Sequence, residues 1–209
     1  MLAYMRGHWD TLEWFSNKKI DFENYFLLGD YTQCHSLLNE IKDKIGVSLW
    51  YYEAKSLLFE YEGKSKDGLT YISEILHECS NNNNYLLSLL YNLYERCHKR
   101  VSPFKYDEDL NALYKRNRTE LHEDYYQYVL YRLNYYNQYQ NTDLSLPIMF
   151  ESLSALVDRY LMVVSIIKSA LIQIPDDTII RSKGCYLYGK TKDRALISVM
   201  ALGNRKIDN

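Results

Sequence analysis

The chain has 209 residues, 47% of them hydrophobic and 25% charged, with a net charge of −2. That length suits one large or two small domains, and so small a charge supplies no global attraction to nucleic acid or to an anionic membrane. Four scattered cysteines (Cys34, Cys79, Cys97, Cys185) with no CxxC pair exclude a disulfide-dense scaffold and predict reduced, mostly buried thiols in a cytoplasmic protein.

With only 3 Pro and 8 Gly, few residues interrupt long runs of helical periodicity, and no alternating strand series stands out. A single all-α domain over residues 1–209 is expected. The N-terminus lacks the basic start, apolar core and cleavage site of a signal peptide. The most apolar run, Tyr160 to Ile174, is interrupted by Lys168 and preceded by Asp158 and Arg159. It is too short and too charged for a membrane span, which needs about 18–20 clean residues.

In chain order, Trp9, Leu12, Trp14, Phe15, Phe22, Tyr25, Phe26 and Leu28 predict a first helix that ends at Gly29, with Trp9 and Trp14 as core anchors. The stretch from Gly29 to Ile41 recurs at an offset of 34 as Gly63 to Ile75. The recurrence pairs Gly29 with Gly63, small Cys34 with Gly68, Leu38 with Ile72 and Ile41 with Ile75. A left-handed residue at a helix end is cheap only for Gly, and a fixed period of this size marks stacked helical hairpins. Ser48 to Glu62 predicts the next helix, with Leu49, Tyr52, Ser56 and Phe59 on one face, and residues 64–79 its partner. Asn81 to Asn84 read as a loop. Residues 85–99 repeat the period once more through Leu86, Leu90 and Leu93, before Pro103 breaks the chain.

From there the spacing is irregular. Residues 107–116 predict a short helix and 121–140 a long one. Ser145 and Pro147 open a central helix running to about Ile172. Pro175-Asp176-Asp177 open a last pair, with a turn at Gly189 and a final helix from Asp193 to Leu202. That last helix lacks a polar outer face, which suggests a further stacking partner or a second copy.

The turn Gly29-Asp30-Tyr31, small Cys34, Leu38 and Ile41, with Gly63, Gly68, Ile72 and Ile75 in the second copy, resemble the tetratricopeptide family over residues 20–95. Ser65 stands where the turn Tyr would recur, and the closing Pro is missing from both copies. The resemblance implies an α-solenoid of antiparallel helix pairs, irregular after residue 100. It also implies a non-enzymatic scaffold or adaptor that binds another protein within a larger complex, with no cofactor.

Candidate chemistry is sparse. Gly184 to Thr191 spells the phosphate-loop string GxxxxGK[ST]. That chemistry needs a strand before, a helix after and slim loop residues. Tyr186, Leu187 and Tyr188 are bulky, so a helix ending at Gly189 is the better reading. Arg116-Asn117 with His122 resembles the Arg-spacer-His motif of the HEPN ribonucleases. That likeness would imply RNA cleavage by Arg116 and His122 across a dimer cleft, and it is kept as an alternative catalytic pair. The five His and the Cys residues show no zinc spacing, so no metal is expected. The basic cluster Arg96, Lys99, Arg100 and Lys105 is balanced by Asp107, Glu108 and Asp109 and reads as solvated surface. The chain carries 22 Tyr. Tyr128, Tyr131, Tyr135 and Tyr139, with Arg132 beside them, follow one face of the 121–140 helix and suit a protein interface. Base stacking on such a row makes a tyrosine-rich RNA binder the other alternative.

Overall fold

The computed structural model describes residues 2–79, 94–97, 102–116, 128, 132, 149–152 and 154–197. Among them there is no strand. The helices whose bounds fall among the described residues are α1 (Leu2–Met5), α2 (Trp9–Leu28), α3 (Tyr31–Ile45), α4 (Leu49–Tyr61), α5 (Ser65–Cys79), α6 (Pro103–Arg116), α7 (Leu156–Gln173) and α8 (Thr178–Thr191). Single turns of 3-10 helix cover Arg6–His8 and Arg194–Leu196. None of the helices searched is long and apolar enough to cross a membrane. The chain divides into two compact units, one formed by Met1–Gly46 with Ala155–Asn209 and the other by Val47–Ser154.

The 34-residue recurrence is written into the backbone. Gly29 has φ 74° and Gly63 φ 77°. The Gly29 and Asp30 amides donate to the carbonyls of Phe26 (3.1 Å) and Tyr25 (2.9 Å). Thirty-four residues on, the Gly63 and Lys64 amides donate to Glu60 (3.2 Å) and Phe59 (2.8 Å). Both are the paired closing bonds of a left-handed helix terminus, which satisfy carbonyls the helix leaves open. The following helices, α3 and α5, begin and end at the same 34-residue offset. Asp30 caps α3 by accepting from the Gln33 amide at 3.1 Å.

In the first unit, α2 packs most extensively on α3 and is also covered by α8 and α7. Cys34, Leu38 and Ile41 of α3 are fully buried with Leu12 and Phe15 of α2. Val157, Tyr160, Met162, Val164, Ile167 and Leu171 of α7 and Leu187 of α8 complete this core. Trp14 is only half-buried, and the Lys44 ammonium lies 4.0 Å from its ring centroid. It is thus a cation-bearing seam of the α2–α3 hairpin as much as a core anchor.

In the second unit, α4 packs on α5. Gly68 is buried at the crossing, where an added Cβ would stand 3.0 Å from Phe59 Cβ. Of the face expected from Leu49, Tyr52, Ser56 and Phe59, Leu49 and Ser56 are buried and Tyr52 and Phe59 half-buried. Tyr51, Ala54 and Leu58 are buried as well, so α4 is covered on more than one side.

Three boundaries differ from the sequence expectation. Pro103 opens α6 instead of breaking the chain, because the first helical position needs no amide and Ser102 Oγ caps the turn by accepting from the Lys105 amide at 3.1 Å. The helix expected from 145 to 172 is interrupted before α7. Ala155 is extended (φ −61°, ψ 155°), and the Ser152 and Ser154 hydroxyls donate to the carbonyls of Met149 and Glu151 at 2.5 and 2.7 Å. Serine hydroxyls that bond the nearby backbone compete with helix continuation. Finally, α8 runs through Gly189 to Thr191 and ends at Lys192, with φ 52°. The expected helices at 85–99 and 121–140 lie largely outside the described residues, as does the second half of the one expected at 193–202.

Candidate functional site

The residues expected to form a protein-binding row divide. Tyr128 and Arg132 are buried, at 0% and 2% exposure, and so offer no surface to a partner. Tyr131, Tyr135 and Tyr139 lie outside the described residues. Tyr128 and Arg132 instead enclose a carboxylate in the second unit. The Tyr128 hydroxyl donates to Glu151 Oε2 at 2.7 Å, and the Tyr128 ring lies 5.3 Å from that of Phe150. An Arg132 Nη stands 3.9 Å from Glu151 Oε1, and the Ser154 hydroxyl is 2.8 Å from the same oxygen. Glu151 is itself fully buried. A buried carboxylate needs such partners, because isolated ionised groups are costly away from water. The centre clamps the 149–154 segment onto the helical residues 128 and 132.

A second polar centre lies in the core of the first unit. The Tyr160 hydroxyl donates to Asp193 Oδ2 at 2.8 Å, accepts from Ser16 at 3.4 Å and lies 3.0 Å from Thr191 Oγ1. Burial, reinforced by the Asp193 carboxylate, raises the Tyr160 pKa well above the usual phenol value. Asp193 also accepts from the Ala195 amide at 2.9 Å and so caps the 3-10 turn. One hydroxyl therefore ties α2, α7 and the segment after α8 together. No spacing rule could have linked Tyr160 to Ser16, which is 144 residues away.

The phosphate-loop string is helical from end to end. Its backbone amides are committed to helix bonding, not wrapped around an anion. Thr191 is buried, with its hydroxyl 2.9 Å from the Leu187 carbonyl. Of the alternative catalytic pair, Arg116 is the last residue of α6 and His122 lies outside the described residues. Cys97 is buried, and burial with the nearby Glu53 carboxylate pushes its thiol up to about 12 against the opposing influence of Arg96. It is therefore a poor nucleophile. Among the described residues no three His, Cys, Asp or Glu side chains converge as a metal ion would require. Lys105 pairs with Asp109 at 2.8 Å on open surface.

Neither the protein-family models, nor the curated proteins, nor the solved structures compared with this chain gave a match.

Proposed function

We propose that the protein is a tetratricopeptide-like helical scaffold that binds another protein and does no chemistry of its own. The observation that carries this reading is the pair of hairpins, α2–α3 and α4–α5, closed by the same left-handed glycine turn at a 34-residue offset. A hairpin of this kind buries its apolar flank by stacking on neighbouring helices, and proteins built from such arrays present broad surfaces to partners. The buried Glu151, Tyr160 and Asp193 are held by internal hydrogen bonds that serve the fold. Because Tyr128 and Arg132 are buried, the binding row reduces to Tyr131, Tyr135 and Tyr139.

The test is purification of the tagged protein from its native host, with cross-linking to define contacts. A stoichiometric partner retained by the wild type and lost by a Tyr131→Ala/Tyr135→Ala variant of unchanged helicity supports the scaffold. A protein that purifies alone, or cleaves RNA in a manner abolished by His122→Ala, overturns it.

A further inference from the structure

The outward side of α8 is basic in a chain whose total charge is slightly negative. From Thr178 to Ile197 the cations are Arg181, Lys183, Lys190, Lys192 and Arg194, and the only acid is Asp193. Asp193 is 4% exposed and turned inward to Tyr160, so it does not neutralise this surface. Lys183, Tyr186 and Lys190 are exposed and follow i, i+3, i+7, which is one helical face. Along the axis the two lysines are about 10 Å apart, with the tyrosine between them. Tyr186 is 44% exposed and is steadied by an edge-on contact with Trp9 of α2, ring centroids 6.0 Å apart. Lys192 and Arg194 extend the positive surface past the helix end.

Among the described residues, Lys183, Lys190, Lys192 and Arg194 enter no ion pair, and Asp10 and Glu13, which follow Trp9 on α2, make none with them. The helix dipole favours cations at a C-terminus. That accounts for Lys192, whose ammonium donates to the Gly189 carbonyl at 2.9 Å, but not for Lys183 at mid-helix.

We propose that this face of α8 binds single-stranded nucleic acid, with Lys183, Lys190 and Arg194 on phosphates and the Tyr186 ring stacked on a base. The alternation of cation and open aromatic ring selects this occupant. An acidic protein segment would need the charges alone, whereas a single strand uses both the backbone charge and a ring face for each base. The surface shares no residue with the tyrosine row of the scaffold reading and stands whether or not that reading holds.

The test is fluorescence anisotropy of the whole protein with a labelled oligouridylate of about 12 nucleotides, with oligoglutamate as competitor. The wild type should bind, with affinity falling as salt rises. Lys183→Gln/Lys190→Gln should lower the slope of log affinity against log salt by about 1.4, from the roughly 0.7 per phosphate contact of single strands. Tyr186→Ala should weaken binding about 10-fold, and Tyr186→Phe, which keeps both the ring and the packing on Trp9, should bind as wild type. Absence of wild-type binding at low salt overturns the proposal, as does binding unchanged in the double variant. Competition by oligoglutamate with Tyr186→Ala unaffected overturns it in favour of an acidic protein partner.

Discussion

Gly68 of α5 approaches Phe59 of α4 so closely that a Cβ would meet both Phe59 Cβ and a Tyr94 ring carbon at 3.0 Å. Both helices meet at a point where only a hydrogen atom fits. Gly68→Ala raises helix propensity by about 1 kcal/mol but must push apart a packed crossing, at a cost of about 1–3 kcal/mol. The expected result is a net loss of about 1 kcal/mol in urea unfolding. Gly189 of α8 is helical too, with nothing within 4 Å of an added Cβ. There the propensity gain is unopposed, and Gly189→Ala should raise stability by about 0.5–1 kcal/mol.

Gly29→Ala and Gly63→Ala should each lose about 1–2 kcal/mol, although neither added methyl group meets a neighbour within 4 Å. The cost is conformational, because φ of 74° and 77° crowds any Cβ against the backbone. Asn should be tolerated better than Ala at both sites. Equal thermal stability of wild type and both alanine variants would contradict the left-handed termini.

Removing Glu151 should be the most damaging single change in the second unit. Glu151→Ala strands the buried Arg132 guanidinium and takes away the acceptor of the Tyr128 hydroxyl. Losing one member of a buried ion pair costs about 3–5 kcal/mol. Tyr128→Phe, which leaves the ion pair intact, should cost about 1–2 kcal/mol. Denaturant midpoints for the two variants check the ranking.

Alkaline pH should weaken the first unit through Tyr160. Its phenol pKa is raised in the folded state above the ordinary value near 10. The protonated form is therefore the one that folding favours. Its contribution is fully present below about pH 10 and is lost as pH climbs towards the folded-state value, by roughly 1.4 kcal/mol per pH unit at most. Tyr160→Phe should be less stable at neutral pH and should show a shallower alkaline decline. Urea unfolding between neutral pH and about pH 11 measures both.

Thiol reactivity should separate the cysteines by position. Cys185 is exposed, whereas Cys34 and Cys97 are buried, and the Cys97 thiol is pushed up to about 12. Brief alkylation of the folded protein followed by peptide mass spectrometry should find Cys185 modified and Cys34 and Cys97 protected. Unfolding in denaturant should expose all three.

The helical content, the glycine-ended hairpins and the inward set Cys34, Leu38 and Ile41 were legible in the residues alone. Each depends on contacts within a few positions: a side-chain-free residue at a left-handed terminus, and apolar groups spaced to share a face. The same local logic explains why the helix expected from 145 to 172 is interrupted at the serines around residue 152. Apolar periodicity runs through them, but their hydroxyls bond the neighbouring carbonyls and the helix stops. The tertiary structure alone decided that α2 is covered by α7 and α8, that Tyr160 meets Ser16 and Asp193, and that Tyr128 and Arg132 turn inward to Glu151. It also decided that Asp193, the one acid among the cations from Arg181 to Arg194, turns inward to Tyr160. Net charge sums over the chain without regard to place, whereas burial removes some charges from the surface and leaves others together. Contacts between residues far apart in the chain depend on which apolar flanks find each other on folding, and no pattern confined to neighbours carries that information.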